Sequence, residues 1–276
     1  MKTAVIDVGS NSVRLMLVEG DKKSKFLSTT QLGRGIDKTG VLNDDAISDT
    51  LSAIIDYSKL GDVVYVFATE AVRVAKNGEQ FCRLVKDKIG VDVDVLTKDE
   101  EARAGFLGAT GGASGVSIID IGGASTEFAR LKEERFESIS IPLGAVRLTD
   151  RYNDGFDTDS YVDAILPKFD FTDKVFGIGG TITSSALMLE GLDRYDSAKI
   201  QGYQLKLDKL KCLVGLLSGL SGEEIYLKYP VIGQKRAKVI FEGTKLLLKI
   251  MEKYHLDTLT VSDSDNTEGY LMLRNL

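Results

Sequence analysis

The chain has 276 residues, 43% of them hydrophobic, which is enough to bury a substantial core in one or two globular domains. A net charge of −6 and a pI near 5.1 argue against a surface built to grip nucleic acid or an anionic membrane, so a polyanionic ligand must be drawn to a local basic site. The single histidine, His255, excludes histidine triads and multi-histidine metal centres; Cys82 and Cys212 form no metal or disulfide spacing, read as small buried hydrophobes, and fit a reducing cytosol.

The opening "MKTAVIDVGS" carries an apolar run too short for a secretory leader and broken by Asp7, and no segment is long enough to span a bilayer, so the expected location is the cytoplasm. "TAVIDVGSNSVRLMLVEGDKKSKFLSTTQLG" reads as a three-stranded antiparallel meander with a small polar turn and a charged turn. "NDDAISDTLSAIIDYSKL" predicts a helix capped by Asn43, with Ile47, Leu51, Ile54, Ile55 and Leu60 on one stripe. Then come a buried strand "DVVYVFATEAVR", a helix "NGEQFCRLVKDKIG", a strand "VDVDVLT" and a helix "KDEEARAGFLGATGG" ending in a glycine-rich connector. Strands alternating with helices imply crossover units and a partly parallel sheet.

After the connector the opening pattern returns: "AVIDVGSNSVRLMLVEGDK" and "SIIDIGGASTEFARLKEER" match in pattern, each an apolar strand, an acid-headed turn of small polar residues, and a second strand. This is an internal duplication. Each half is expected to carry a sheet, with the two turns facing each other across a cleft. Helices at "GAVRLTDRY" and "TDSYVDAILPKF", a strand-turn-helix "KVFGIGGTITSSALMLEGL", helices around 208–218, 222–226 and 236–254, a strand "TLTVSD" and a last helix "TEGYLMLRNL" complete the chain. The expected division is residues 1–112 plus 265–276 for the first domain and 113–264 for the second.

The two turns suit phosphate. Small residues let main-chain N–H groups approach an anion, and Ser and Thr hydroxyls add donors without bulk. The candidates are Gly9, Ser10, Asn11 and Ser12 in the first turn and Gly122, Gly123, Ala124, Ser125 and Thr126 in the second. Asp7 and Asp120 head the turns, and a carboxylate beside bound phosphate calls for an intervening cation such as Mg²⁺. One such turn alone reads as a Gly-Ser hairpin; its duplication is what points to a site. Gly179, Gly180 and Thr181 form a third glycine turn that shapes a cleft wall or takes further phosphates, and its match to a dinucleotide fingerprint is incomplete. Glu127 either supports the second turn or points out of its strand. From the residues alone, Glu100 and Glu101 are a solvated helix start favoured by the dipole, and Arg73 is a plain surface residue.

In the order "DVGSNSVRL", "ATEAVRVAKN", "DEEARAGFLGA", "DIGGASTEF", "IPLGAVRLT", "GIGGTIT" and "RAKVIFEG", the chain resembles the exopolyphosphatase and guanosine pentaphosphate phosphohydrolase family from about residue 4 onward. The resemblance implies an α/β fold of two duplicated actin-like (ribonuclease-H-like) domains, with mixed sheets flanked by helices. It also implies a cytoplasmic phosphoanhydride hydrolase that frees terminal orthophosphate from polyphosphate or guanosine pentaphosphate. Glu101 would be the catalytic base, Arg73 an active-site arginine clamping a phosphate oxygen, and Asp120, Asp7 and Glu127 the acids around Mg²⁺ or Mn²⁺. Arg14, Arg34, Arg103, Arg147, Lys235, Arg236 and Lys238 are basic candidates for extending the substrate path. The expected partners are the substrate and a second copy in a homodimer, with no nucleic acid and no membrane. Competing classes are a kinase of the same superfamily and a non-catalytic nucleotide- or alarmone-binding regulator. The chain departs from the family pattern at Ala124, Gln31 and Thr267, where a glycine and two arginines are usual, and Ala124 is tolerable only if its φ stays negative. Longer relatives continue into a helical domain, so long chains are expected to be held less processively.

Overall fold

A computed structural model describes residues Met1–Leu276. The chain forms two compact units, Met1–Glu101 and Ala102–Leu276.

In the first unit, β1 (Lys2–Val8), β2 (Ser12–Glu19) and β3 (Lys22–Thr29) make the expected meander, and β4 (Val63–Ala68) and β5 (Val93–Val95) extend it in the order β3-β2-β1-β4-β5. β1 pairs antiparallel with β2 but parallel with β4, and β4 is parallel with β5. Val8 pairs with Ala68 and Ala68 with Val95, so the three parallel strands end on one rung. β1 is apolar on both faces and buries Ala4, Ile6 and Val8 against Ile54 of helix Asp44–Ser58 and Phe81 and Val85 of helix Gly78–Ile89. Asn43 caps the first of these helices as expected, accepting from the Asp45 and Ala46 amides.

The second unit repeats this plan. β6 (Val116–Ile121), β7 (Thr126–Lys132) and β8 (Arg135–Ile141) form the second meander; β9 (Lys174–Ile178) and β11 (Thr258–Val261) run parallel to β6, and a short β10 (Gln204–Lys206) closes the edge, giving β10-β11-β9-β6-β7-β8. Phe128 anchors an aromatic cluster with Phe169, Phe171 and Tyr254. Burial there pushes the Tyr254 hydroxyl up to about 12, and it donates to the Pro167 carbonyl at 2.6 Å. The duplicated architecture of two mixed sheets flanked by helices is therefore as the sequence implied.

The division of the chain differs from the expected one. Residues 102–112 and 265–276 belong with the second unit, because Ala102 and Phe106 pack with Ile118 and Ile178, and helix Lys98–Thr110 meets helix Asn266–Arg274 at glycines. A Cβ at Gly108 would overlap the Asp265 carbonyl, and one at Gly269 the Ala104 carbonyl. Cys212 is also not buried: its helix, Leu207–Leu217, turns Leu210, Leu213 and Leu217 inward and leaves the cysteine outside, while Cys82 is half-buried. The run expected as one helix over 236–254 breaks into Gln234–Ala237 and Ile240–Lys253. No helix is long and apolar enough to cross a membrane.

Gly269→Ala is expected to lower stability by about 1–3 kcal/mol, because the helices must separate to admit a methyl group. Urea unfolding measures this, and Gly215→Ala, where a Cβ meets nothing, is the control.

Candidate active site

The functional side chains of the first unit gather where its parallel strands end, the usual position for ligands in such sheets. After β1 the chain turns through Gly9, Ser10 and Asn11 into β2, and the Gly9 amide donates to the Ser12 carbonyl at 3.1 Å. The following segment clamps this turn: the Gly33 amide donates to Ser10 O at 2.7 Å, and the Thr30 and Gln31 amides donate to Asn11 O. A Cβ at Gly33 would sit 2.8 Å from the Ser10 side chain, which is why a glycine stands there. Asp7, Ser10 and Ser12 are buried.

Beside that turn, Thr69 follows β4 and opens the short helix Glu70–Val74. Arg73 on this helix makes three contacts. Its Nη1 donates to the Leu96 carbonyl at 2.6 Å and to Glu101 Oε2 at 2.8 Å, and its Nη2 donates to Glu70 Oε2 at 2.5 Å. Glu70 and Glu101 are both buried. Burial alone would depress the Arg73 pKa, but the charges and hydrogen bonds of Glu101 and Glu70 outweigh it and hold the guanidinium above its ordinary value. Glu101 is thus buried and oriented. Arg73 is neither a surface residue nor wholly available as a phosphate clamp, because two of its nitrogens already serve protein acceptors. Glu70 was not singled out from the sequence; its signal was the i,i+3 spacing in "TEAVR".

The second loop reproduces the first. The Gly122 amide donates to Ser125 O at 3.0 Å, and Ala145 and Val146 clamp the turn by donating to the Gly122 and Gly123 carbonyls. Gly144 takes the place of Gly33: a Cβ there would lie 2.5 Å from the Ala124 amide nitrogen. Ala124 is not among the residues with positive φ, so the condition for its tolerance is met. Arg147, buried, donates to the Ala124 carbonyl at 2.5 Å, and Thr126 commits its hydroxyl proton to the Leu143 carbonyl at 2.6 Å. These two residues build the loop.

Asp120 and Glu127 are directly opposed on β6 and β7, and both are buried. The equivalent pair in the first unit is Asp7 and Arg14, with Arg14 Nη1 4.0 Å from Asp7 Oδ2. So one copy of the duplicated rung pairs acid with base, and the other sets two acids side by side. Glu127 accepts from Ser140 at 2.7 Å, and Asp120 accepts from the Asn266 amide at 3.2 Å. Gly179, with φ 88°, passes so close to Asp120 that a Cβ would lie 2.5 Å from Oδ1. Arg236 donates to the Gly180 carbonyl at 3.3 Å and to Ser184 at 3.2 Å, bracing the third glycine turn, and Thr181 packs against Gly243. Arg103 lies over the Phe136 ring. Asn266 and Ser140 were not foreseen, since an asparagine at a helix start reads as a cap.

Two hard-oxygen carboxylates side by side suit a divalent cation that keeps its other positions for phosphate and water, as Mg²⁺ does. No cluster of three or more acids, histidines or cysteines could build a fuller cage.

Removing the shared cation tests the first unit's arrangement. Arg73→Met is expected to cost roughly 3–5 kcal/mol at neutral pH, because two carboxylates stay buried without it. Urea unfolding measures this.

Residues 24–274 match the model of the Ppx/GppA phosphatase family. The chain is 28% identical to Exopolyphosphatase 2 of Mycobacterium tuberculosis, with 97% of each covered. It is 27% identical to the bifunctional 3-dehydroquinate synthase/phosphatase of Fusobacterium nucleatum, where it spans 46% of the longer protein. The solved structure of the Aquifex aeolicus PPX-GPPA enzyme superposes with a TM-score of 0.78 at 33% identity, over 98% of both chains. That match runs from within β3 through the last helix, and the chain belongs to the Ppx/GppA phosphatase family.

Proposed function

We propose that this phosphatase releases terminal orthophosphate from inorganic polyphosphate by in-line attack of water, with Glu101 as the base. The observation that carries the reading is the buried Glu101 carboxylate, gripped by Arg73 at the same sheet end as the Gly9–Ser12 turn. Phosphoanhydride hydrolysis needs positioning, charge neutralisation and a water-activating carboxylate more than covalent chemistry.

Glu101 takes a proton from water as the water oxygen bonds to the terminal phosphorus. The bridging P–O bond breaks, and the shortened chain leaves with the electron pair. Arg73 fixes the carboxylate through the 2.8 Å contact to its Oε2. The main-chain amides and hydroxyls around Ser10, Asn11, Gly123 and Ser125 hold phosphate oxygens, and Gly179 and Gly180 take further ones. Asp120 and Glu127 would hold the metal, Mg²⁺ or Mn²⁺, whose contribution when bound is to neutralise phosphate charge. Asp7, opposite Arg14, is assigned to the geometry of the first turn.

The test is phosphate release from long-chain and short polyphosphate, guanosine pentaphosphate and ATP, each with and without Mg²⁺. Metal-dependent release from polyphosphate is expected, and Glu101→Gln should lower kcat roughly a hundred- to ten-thousand-fold. Release from guanosine pentaphosphate alone would reassign the substrate, and tight binding without release would make the protein a regulator. Asp120→Asn is expected to raise the Mg²⁺ concentration at half-maximal rate about tenfold or more, with a smaller effect from Asp7→Asn; Mg²⁺ titration of the rate separates the two.

A further inference from the structure

Beside the Arg73 contacts, the helices Glu70–Val74 and Gly78–Ile89 and the edge strand β5 enclose an open pocket of about 570 Å³, within the range of small-molecule sites. Val72, Ala75, Val93 and Val95 give it apolar walls. Arg73, Lys76 and Arg83 bring three cations against one carboxylate, Glu79, which stands 3.6 Å from Arg83. Arg73 is also paired with Glu70 and Glu101, so Lys76 is the lining cation that carries no ion pair. The start of the second helix lines the pocket without a side-chain cap, because Asn77 spends its amide on the main chain of Leu42 at 2.8 and 3.0 Å. Arg73 belongs both to this pocket and to the pair with Glu101, and its Nε, buried, donates to nothing.

We propose that this pocket binds a small phosphate monoester carried on a compact apolar body, and that such a ligand competes with Glu101 for Arg73. Lys76, joined by Arg83 and Arg73 as these give up carboxylates, matches a phosphate dianion, and the valines match the body that carries it. One guanidinium cannot serve the ligand and two carboxylates equally well, so occupancy loosens Glu101. The coupling is a matter of geometry; its consequence, inhibition of hydrolysis, rests on reading Glu101 as the base. By reciprocity, weakening the Glu101 grip must tighten the pocket.

Cys82 lines the pocket and reports on it directly. In a Cys212→Ser chain, which leaves Cys82 as the one thiol, the rate of alkylation by iodoacetamide is measured against phenyl phosphate and against inorganic phosphate. Burial pushes the Cys82 thiol up, so the reaction is run at alkaline pH. Millimolar phenyl phosphate is expected to slow alkylation saturably, by about threefold or more, and Lys76→Gln with Arg83→Gln to abolish the protection. Adding Glu101→Gln should lower the half-protecting concentration about fivefold, with Glu70→Gln as a second route to the same release. No protection by phenyl phosphate would overturn the site, and equal protection by inorganic phosphate would overturn the amphipathic ligand class. Equal half-protecting concentrations with and without Glu101→Gln would overturn the competition for Arg73. None of these readings requires phosphatase activity, so a failure of the pocket is separable from a failure of the proposed reaction.

Discussion

One guanidinium holds two buried carboxylates in the first unit, and the geometry at that end of the sheet follows from it. Arg73 reaches its three acceptors from a helix of five residues, and they come from three places: the helix itself, the residue after β5, and the start of helix Lys98–Thr110. A lysine could not do this, because a point charge has no planar fork with which to direct separate hydrogen bonds to separate segments. The arrangement is not primarily a source of stability, since desolvating three charges costs about what their attraction returns. What it secures is placement. Glu101 is the residue at which the chain leaves the first unit, so Arg73 fixes a carboxylate that the helix alone would leave to its side-chain rotamers.

The duplication gave two loops of the same construction, and the rung of the leading aspartate carries opposite charges in the two copies. In each, a glycine amide closes onto the carbonyl three residues later, and a second glycine from beyond the meander packs against the turn, Gly33 in the first and Gly144 in the second. Those constraints are steric and were kept. The residue directly opposite the leading aspartate lies on the same side of the sheet, so its charge bears directly on that carboxylate. With Arg14 there, Asp7 faces a cation from its own chain. With Glu127 there, Asp120 faces a second carboxylate. The exchange reverses the sign of the charge beside the leading aspartate.

Much of this was legible in the sequence. The two meanders, the Asn43 cap, the alternation of strands and helices and the two acid-headed turns all depend on local rules, in which a turn of small residues or an apolar run carries its own explanation. The resemblance to a known family added roles for Glu101 and Arg73 that the residues alone did not carry. What the sequence hid was long-range. Glu70 fell within the run expected as a buried strand, but the strand ends at Ala68 and the helix that follows brings Arg73 back onto it; Asn266 lies 146 residues from Asp120, where no local pattern joins them. The division of the chain was misjudged for the same kind of reason: the glycines at 108 and 269 matter because two helices distant in sequence touch there.

The three departures from the family pattern can be weighed by what the structure does with each. Ala124 is buried with a φ that is not positive, so its methyl group costs the second loop nothing in backbone strain. Gln31 adopts a left-handed conformation at φ 55°, and its amide donates to the Asn11 carbonyl, so it serves the first loop through its main chain. Thr267 is the substantive change. Where an arginine is usual, a buried threonine bonds to Asp265 and Glu268 and completes the cap of the last helix. It satisfies its neighbours locally and brings no charge, so a cation is missing two residues from the cap while Arg73, Glu101, Asp120 and Glu127 all remain. A cation that grips substrate without meeting the reacting atoms contributes to affinity and selectivity, and a carboxylate that meets the attacking water contributes to the chemical step. Of the three departures, Thr267 alone removes a charge, and Arg73, Glu101, Asp120 and Glu127 are all present.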